Sequence, residues 1–114
     1  MNSETLPRRT EPSLIFRAFG DPTRLAMFER IVRDGEQSVH ALTRGGQISQ
    51  PAVSKHLAIL LRAGLVRRRH TGRETFYSAD PSGLAPMIDW ASQMASFWER
   101  RFDHLEDLLK RMDQ

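Results

Sequence analysis

The chain has 114 residues, enough for one hydrophobic core and too short for two. It has no cysteine, which excludes disulfide frameworks, thiolate metal sites and cysteine nucleophiles, and its best apolar run, Leu57–Leu61, stops at Arg62, far short of a membrane span or a signal segment; a cytoplasmic protein with no membrane partner is expected. The net charge of +3 is very uneven: Ser38–Arg73 carries seven fixed positive charges (Arg44, Lys55, Arg62, Arg67, Arg68, Arg69 and Arg73) and no Asp or Glu, which leaves −4 for the rest. A solvated face normally mixes acids with bases, so an acid-free third of the chain points to a polyanion, and to nucleic acid first.

Residues 1–12 hold Pro7, Pro12 and mixed charges without periodicity, and read as a flexible tail ahead of one folded domain, residues 13–112. Ser13–Phe19 is a short apolar helix. A second helix opens at Asp21, an N-cap, with Pro22 at the first helical position, and places Leu25, Phe28, Ile31 and Val32 on one face before Asp34-Gly35 ends it. Ser38 caps a third, short helix with Val39 and Leu42, which must turn at Gly45-Gly46. Ser49 caps a fourth, with Pro51 in its first turn, Val53, Leu57, Leu60 and Leu61 inward, and Gly64 as its stop.

After Gly64 the period changes from helical to alternating. Leu65–His70 and Glu74–Ser78, separated by Thr71-Gly72-Arg73, read as a β-hairpin with a basic tip. Asp80-Pro81 repeats the cap-plus-proline signal and opens a last helix, with Gly83 and Pro86 leaving its first residue open. Its apolar positions Leu84, Ile88, Ala91, Ala95, Trp98, Phe102, Leu105, Leu109 and Met112 alternate in steps of four and three, a four-heptad seam.

A mainly α chain with one β-hairpin, in the order helix, helix, helix, helix, strand, strand, helix, is the layout of a winged helix-turn-helix. A major groove about 12 Å wide admits one helix whose N-terminal residues meet base edges while its inner face stays on the core. The fourth helix suits that role: Gln50 and Ser54 are candidate base readers, Lys55 and Arg62 phosphate or guanine contacts, His56 a contact beside them, and Ser49 with the first-turn N–H groups a phosphate holder. On the wing, Arg73 at the glycine turn is placed for a minor groove, and Arg67 and Arg69 alternate onto one strand face toward phosphates.

The segments Gly20-Asp21-Pro22-Thr23-Arg24-Leu25, Ile48-Ser49-Gln50-Pro51-Ala52-Val53-Ser54-Lys55-His56-Leu57, Leu60, Ala63-Gly64-Leu65-Val66 and Gly72-Arg73 resemble the ArsR/SmtB family of bacterial winged-helix repressors across roughly residues 13–112. The resemblance departs locally at Gly45-Gly46-Gln47. It implies a homodimer that represses an operator, built by the first and last helices, and matches a cysteine-free subgroup in the segment from Trp90 to Leu109. Length supports the same expectation, because a helix over Leu84–Met112 would overhang a compact domain of this size and expose its seam. The dimer interface is therefore expected at Leu14, Ile15, Ala18, Ile88, Ala91, Ala95, Trp98, Phe102, Leu105 and Leu109.

Metal-sensing relatives bind through third-helix cysteines, absent here, or a D-x-H-x10-H-x2-D/E pattern on the last helix, of which only His104 and Asp107 survive, with Ala91 and Gln93 at the other places. No metal and no cofactor is expected. Ser54-Lys55-His56 lacks a third orienting group, and neighbours on a helix diverge by 100°, so an enzyme is not expected. The expected function is a sequence-specific, duplex-DNA-binding transcriptional regulator, a repressor, dimeric on an imperfect palindrome. The alternatives are a His/carboxylate metal-responsive repressor and a winged helix that binds protein alone; the residues name no small-molecule effector.

Overall fold

The computed structural model describes residues 11–45 and 48–113. Helix α1 (Pro12–Phe19) starts on Pro12, one residue before the start expected from the sequence; a proline is pre-set for the first helical position, where no N–H is needed. Met1–Thr10 lie outside the described residues. Helix α2 (Pro22–Asp34) is capped by Asp21, whose carboxylate accepts the Thr23 and Arg24 N–H groups at 2.9 and 3.0 Å, and ends at Gly35 with φ +84°.

A difference from the hairpin reading comes next. Gln37–Ser38 forms a two-residue strand, β1, antiparallel to the second wing strand with Gln37 opposite Tyr77 and Ser38 opposite Phe76. Two residues carry no readable alternation; β1 exists because the wing offers it an open edge. Ser38 then caps helix α3 (Val39–Arg44) by accepting the Ala41 N–H at 2.9 Å. Ser49 caps helix α4 (Gln50–Arg62) through the Ala52 N–H.

Helix α4 ends in a Schellman turn: Gly64 adopts φ +78°, its N–H donates to the Leu61 carbonyl, and the Leu65 N–H donates to the Leu60 carbonyl, each at 3.0 Å. The chain leaves this turn as strand β2 (Val66–Thr71) and returns as β3 (Glu74–Ala79), in the sheet order β1-β3-β2. Thr71 faces Glu74, so only Gly72 and Arg73 form the turn, with Gly72 first at φ +58° as a type II′ hairpin requires. Asp80 caps a single 3₁₀ turn, Pro81–Leu84, and helix α5 (Ala85–Met112) follows it one residue later than the seam suggested.

The core gathers Ile15 and Ala18 of α1, Met27, Phe28 and Ile31 of α2, Leu42 of α3, Val53, Leu57 and Leu60 of α4, then Ala63, Leu65, Val66 and Tyr77. Val32, expected inward, is exposed, and Met27 takes its place. Both choices continue the Phe28–Ile31 stripe at helical spacing, so periodicity alone does not separate them. Helix α5 buries none of its residues. At 1.5 Å per residue its 28 residues run about 42 Å. It stretches the described chain to 73 Å with a radius of gyration of 19.9 Å, where a compact chain of this length has about 13 Å.

Candidate nucleic-acid interface

Because Val53, Leu57 and Leu60 are turned onto the core, the opposite arc of α4 is left to solvent. Gln50, Pro51, Ser54, Lys55, Ala58 and Arg62 are all exposed. Gln50 and Ser54 sit at the N-terminal end of this arc and Lys55 and Arg62 along it, with the capped Ser49 at its head. The small side chains of Ser54 and Ala58 let a ligand surface approach the helix closely, and the cap leaves a dipole that favours an anion at the first turn.

The structure places His56 differently from the other candidates. It is half-buried and turns to α2, where its Nδ1 lies 3.3 Å from an Arg24 guanidinium nitrogen. The contact ties the imidazole to α2.

The wing is less free than its charge suggests. Arg69 is held in a fork by Glu36, its Nε and one terminal nitrogen donating to the two carboxylate oxygens at 3.0 and 2.7 Å, while its guanidinium lies 4.8 Å from the Phe76 ring on the neighbouring strand. Arg67 donates to Asp80 at 3.2 Å. The reading of Arg67 and Arg69 as phosphate contacts is corrected to this extent: both are engaged by acids from outside the acid-free segment. Glu36 stands two residues before the segment and Asp80 seven after it, beyond Glu74, and pairing across 33 and 13 positions needs the fold. Lys55, Arg62 and Arg73 have no acidic partner among the described residues.

Arg69 holds the Glu36 carboxyl below the usual glutamate range, and Glu36 in turn raises Arg69. Asp80 is lowered chiefly by the Ser82 hydroxyl, then by Arg67. With the folded-state value depressed, the Glu36 tie is present above the ordinary glutamate range and is lost as pH falls through its lowered value. Glu36→Gln removes the charge while keeping the shape. We expect it to release Arg69 to DNA and to steepen the slope of log K against log salt, measured by fluorescence anisotropy, by about one unit per bound subunit. An unchanged slope would assign Arg69 to wing anchoring alone.

Among the described residues no three His, Asp or Glu side chains converge as a metal site would need. His104 and Asp107 stand exposed on α5. No helix among the described residues is long and apolar enough to cross a membrane.

A short helix, a turn, an exposed polar helix and a basic-tipped hairpin on one core define a winged helix-turn-helix DNA-binding module. A helix-turn-helix domain family matches residues 19–69, from the end of α1 into β2. The chain is 38% identical over 89 residues to an HTH-type transcriptional regulator of Mycobacterium tuberculosis, covering 78% of this chain and 79% of that one. It is 39% identical over 70 residues to an arsenic resistance transcriptional regulator of Pseudomonas putida, 61% of this chain and 55% of that one. Among solved structures, an ArsR-like transcriptional regulator from Rhodococcus sp. RHA1 superposes with a TM-score of 0.75 at 28% identity, over 85% of this chain and 91% of that one. The chain belongs to the ArsR/SmtB family of winged helix-turn-helix regulators, and it is a DNA-binding transcription regulator, not an enzyme.

Proposed function

We propose that the protein represses transcription in the cytoplasm as a homodimer that reads an imperfect palindrome through α4 and the wing. The observation that carries this reading is the exposed arc of α4, with Gln50, Ser54, Lys55 and Arg62 on a face without acids. A palindrome follows from two-fold symmetry, which sets two reading helices about 34–36 Å apart, one turn of duplex. Support for the dimer comes from the seam: Leu14 of α1 and Ile88, Ala91, Ala95, Trp98, Phe102, Leu105 and Leu109 of α5 are all exposed in the protomer. Such a stripe is closed in solution by a second copy of itself. Ile15 and Ala18 leave the expected interface, being wholly buried in the protomer's own core.

The division of labour within α4 is testable with a duplex selected from a random pool. Gln50→Ala should cost about 1–3 kcal/mol on that duplex and little on random DNA, whereas Lys55→Ala should weaken both. Equal losses on the two DNAs from Gln50→Ala would take it out of the base-reading role. With Lys55, Arg62 and Arg73 as the cationic contacts of each subunit, about six phosphates are neutralised and the salt slope should lie near −5; Arg73→Ala should make it shallower by about two units. A slope near zero would overturn the DNA reading.

A further inference from the structure

We propose that Arg24 is a positioning residue that ties the dimer helix α1 to the reading helix α4, so that the angle at which each α4 meets DNA is set by the dimer and not by its own half-site. The inference rests on the reading of the chain as a dimer on a palindrome. It goes beyond that reading by assigning the coupling to one side chain.

Arg24 stands in the first turn of α2, its own N–H donating to the Asp21 cap. Its guanidinium faces three ways. Nε donates to the Ala18 carbonyl at 2.6 Å, one terminal nitrogen donates to the Arg17 carbonyl at 3.2 Å, and the other lies 3.3 Å from His56 Nδ1. The first two oxygens are among the last carbonyls of α1, an end that a cation satisfies well; the Arg17 carbonyl also accepts the Gly20 N–H at 3.2 Å. An arginine never gives up its proton and has no acceptor, so its contact with His56 is bonding only when Nδ1 offers its lone pair, that is, with the imidazole neutral and its proton on Nε2. The charged groups facing this imidazole are Arg24 of α2 and the Asp21 cap, whose carboxyl is held below its usual range first by the Arg24 N–H and then by the Thr23 N–H.

Both ends of the tie matter. Ala18 and Ile15 are locked into the core, while Leu14 on the outer face of α1 belongs to the exposed seam, so α1 moves with the dimer. His56 follows Ser54 and Lys55 on α4, so a rotation of α4 about its axis changes the Arg24 contact and the DNA-facing arc together. A planar fork that fills three acceptors from two elements resists such rotation in a way a flexible ammonium cannot.

The test compares two duplexes: a palindrome selected by the wild-type protein from a random pool, and the same palindrome with two base pairs inserted at its centre. The insertion moves one half-site by about 7 Å and turns it by about 70°. Wild-type protein, with each α4 fixed to the dimer, should lose about tenfold or more on the spaced duplex. Arg24→Lys keeps the charge but cannot span both elements, and its loss should shrink to about threefold or less, with the dimer intact by sedimentation. His56→Ala cuts the tie at its other end and should behave alike, and the double variant should add nothing to either; it also carries the comparison if Arg24→Lys does not fold. A residue that only stabilised the fold would weaken both duplexes by one factor and leave the ratio unchanged, which would overturn the coupling alone. Wild-type protein indifferent to the insertion would overturn the palindromic reading and the coupling with it.

Discussion

Trp98→Asp is expected to convert the protein to a folded monomer and to abolish tight binding of the palindrome. In the protomer Trp98 is 58% exposed and Phe102 62% exposed, and the aromatic rings beside Trp98 are those of its helix neighbours Phe97 and Phe102, with centroids 5.9 and 6.4 Å away. The substitution therefore removes nothing from the core around Leu57 and Leu65, and the protomer should keep its helical content. In a two-fold interface the change occurs twice. Each copy forfeits an aromatic contact of the kind that dominates association, about 2–4 kcal/mol, and places an unpaired carboxylate in an apolar seam. Two such losses weaken dimerisation by a factor of at least about a thousand, at 1.4 kcal/mol per tenfold. Sedimentation at micromolar concentration checks this; a variant that remained dimeric would remove Trp98 from the interface. Random DNA should still bind weakly, since Lys55, Arg62 and Arg73 are untouched.

Gly83→Ala should destabilise the fold more than a methyl group added at Gly20, Gly35, Gly45 or Gly72. A Cβ at position 83 would sit 1.9 Å from the Gly64 carbonyl oxygen, 2.8 Å from its carbon and 3.2 Å from Leu65 Cα. All three are backbone atoms, so no side chain can swing aside. Nor can the loop that carries them: Gly64 is fixed in its Schellman turn, Leu60 and Leu65 on either side are fully buried, and the Leu65 carbonyl accepts the Asp80 N–H at 2.9 Å. The 3₁₀ turn before α5 must lift away, at a cost of about 3 kcal/mol or more. Tm should drop by roughly 10–20 °C at equal protein concentration. Gly45→Ala is the control, because its Cβ would meet only the Arg30 guanidinium nitrogens at 3.8 and 3.9 Å. If the two variants melted together, the close approach at Gly83 would not hold in solution.

Much of the fold is written in short-range chemistry. Asp21-Pro22, Ser38 and Ser49 mark three helix starts because a capping side chain bonds an N–H two or three residues on, and Gly64 and Gly72 mark a helix stop and a hairpin because only glycine takes those positive φ values without strain. The polar arc of α4 was legible for the same reason: with Val53, Leu57 and Leu60 inward, a period of 3.6 leaves Gln50, Ser54, Lys55 and Arg62 outward.

The tertiary structure decided whatever depends on partners distant in sequence. The Phe28–Ile31 stripe extends equally well through Val32 or Met27, and burial in the common core chose Met27. Ile15 and Ala18 are apolar whichever side of α1 they face, and only the docking of α1 on the core turned them into the protomer and left Leu14 for the seam. Strand β1 forms because β3 offers it an edge, not because Gln37 and Ser38 ask for a strand. Charge counting assigned Arg67 and Arg69 to DNA, since a sum over sequence does not register that Asp80 and Glu36 are brought within 3.2 and 2.7 Å of them. The tie from Arg24 to His56 joins residues 32 apart, and its meaning lies in a guanidinium that must satisfy acceptors on two helices at once. Caps and periods act within one or two turns of chain, so the sequence alone reveals them; ion pairs, sheet edges and the choice between two equally apolar faces are settled only when distant segments compete for the same space.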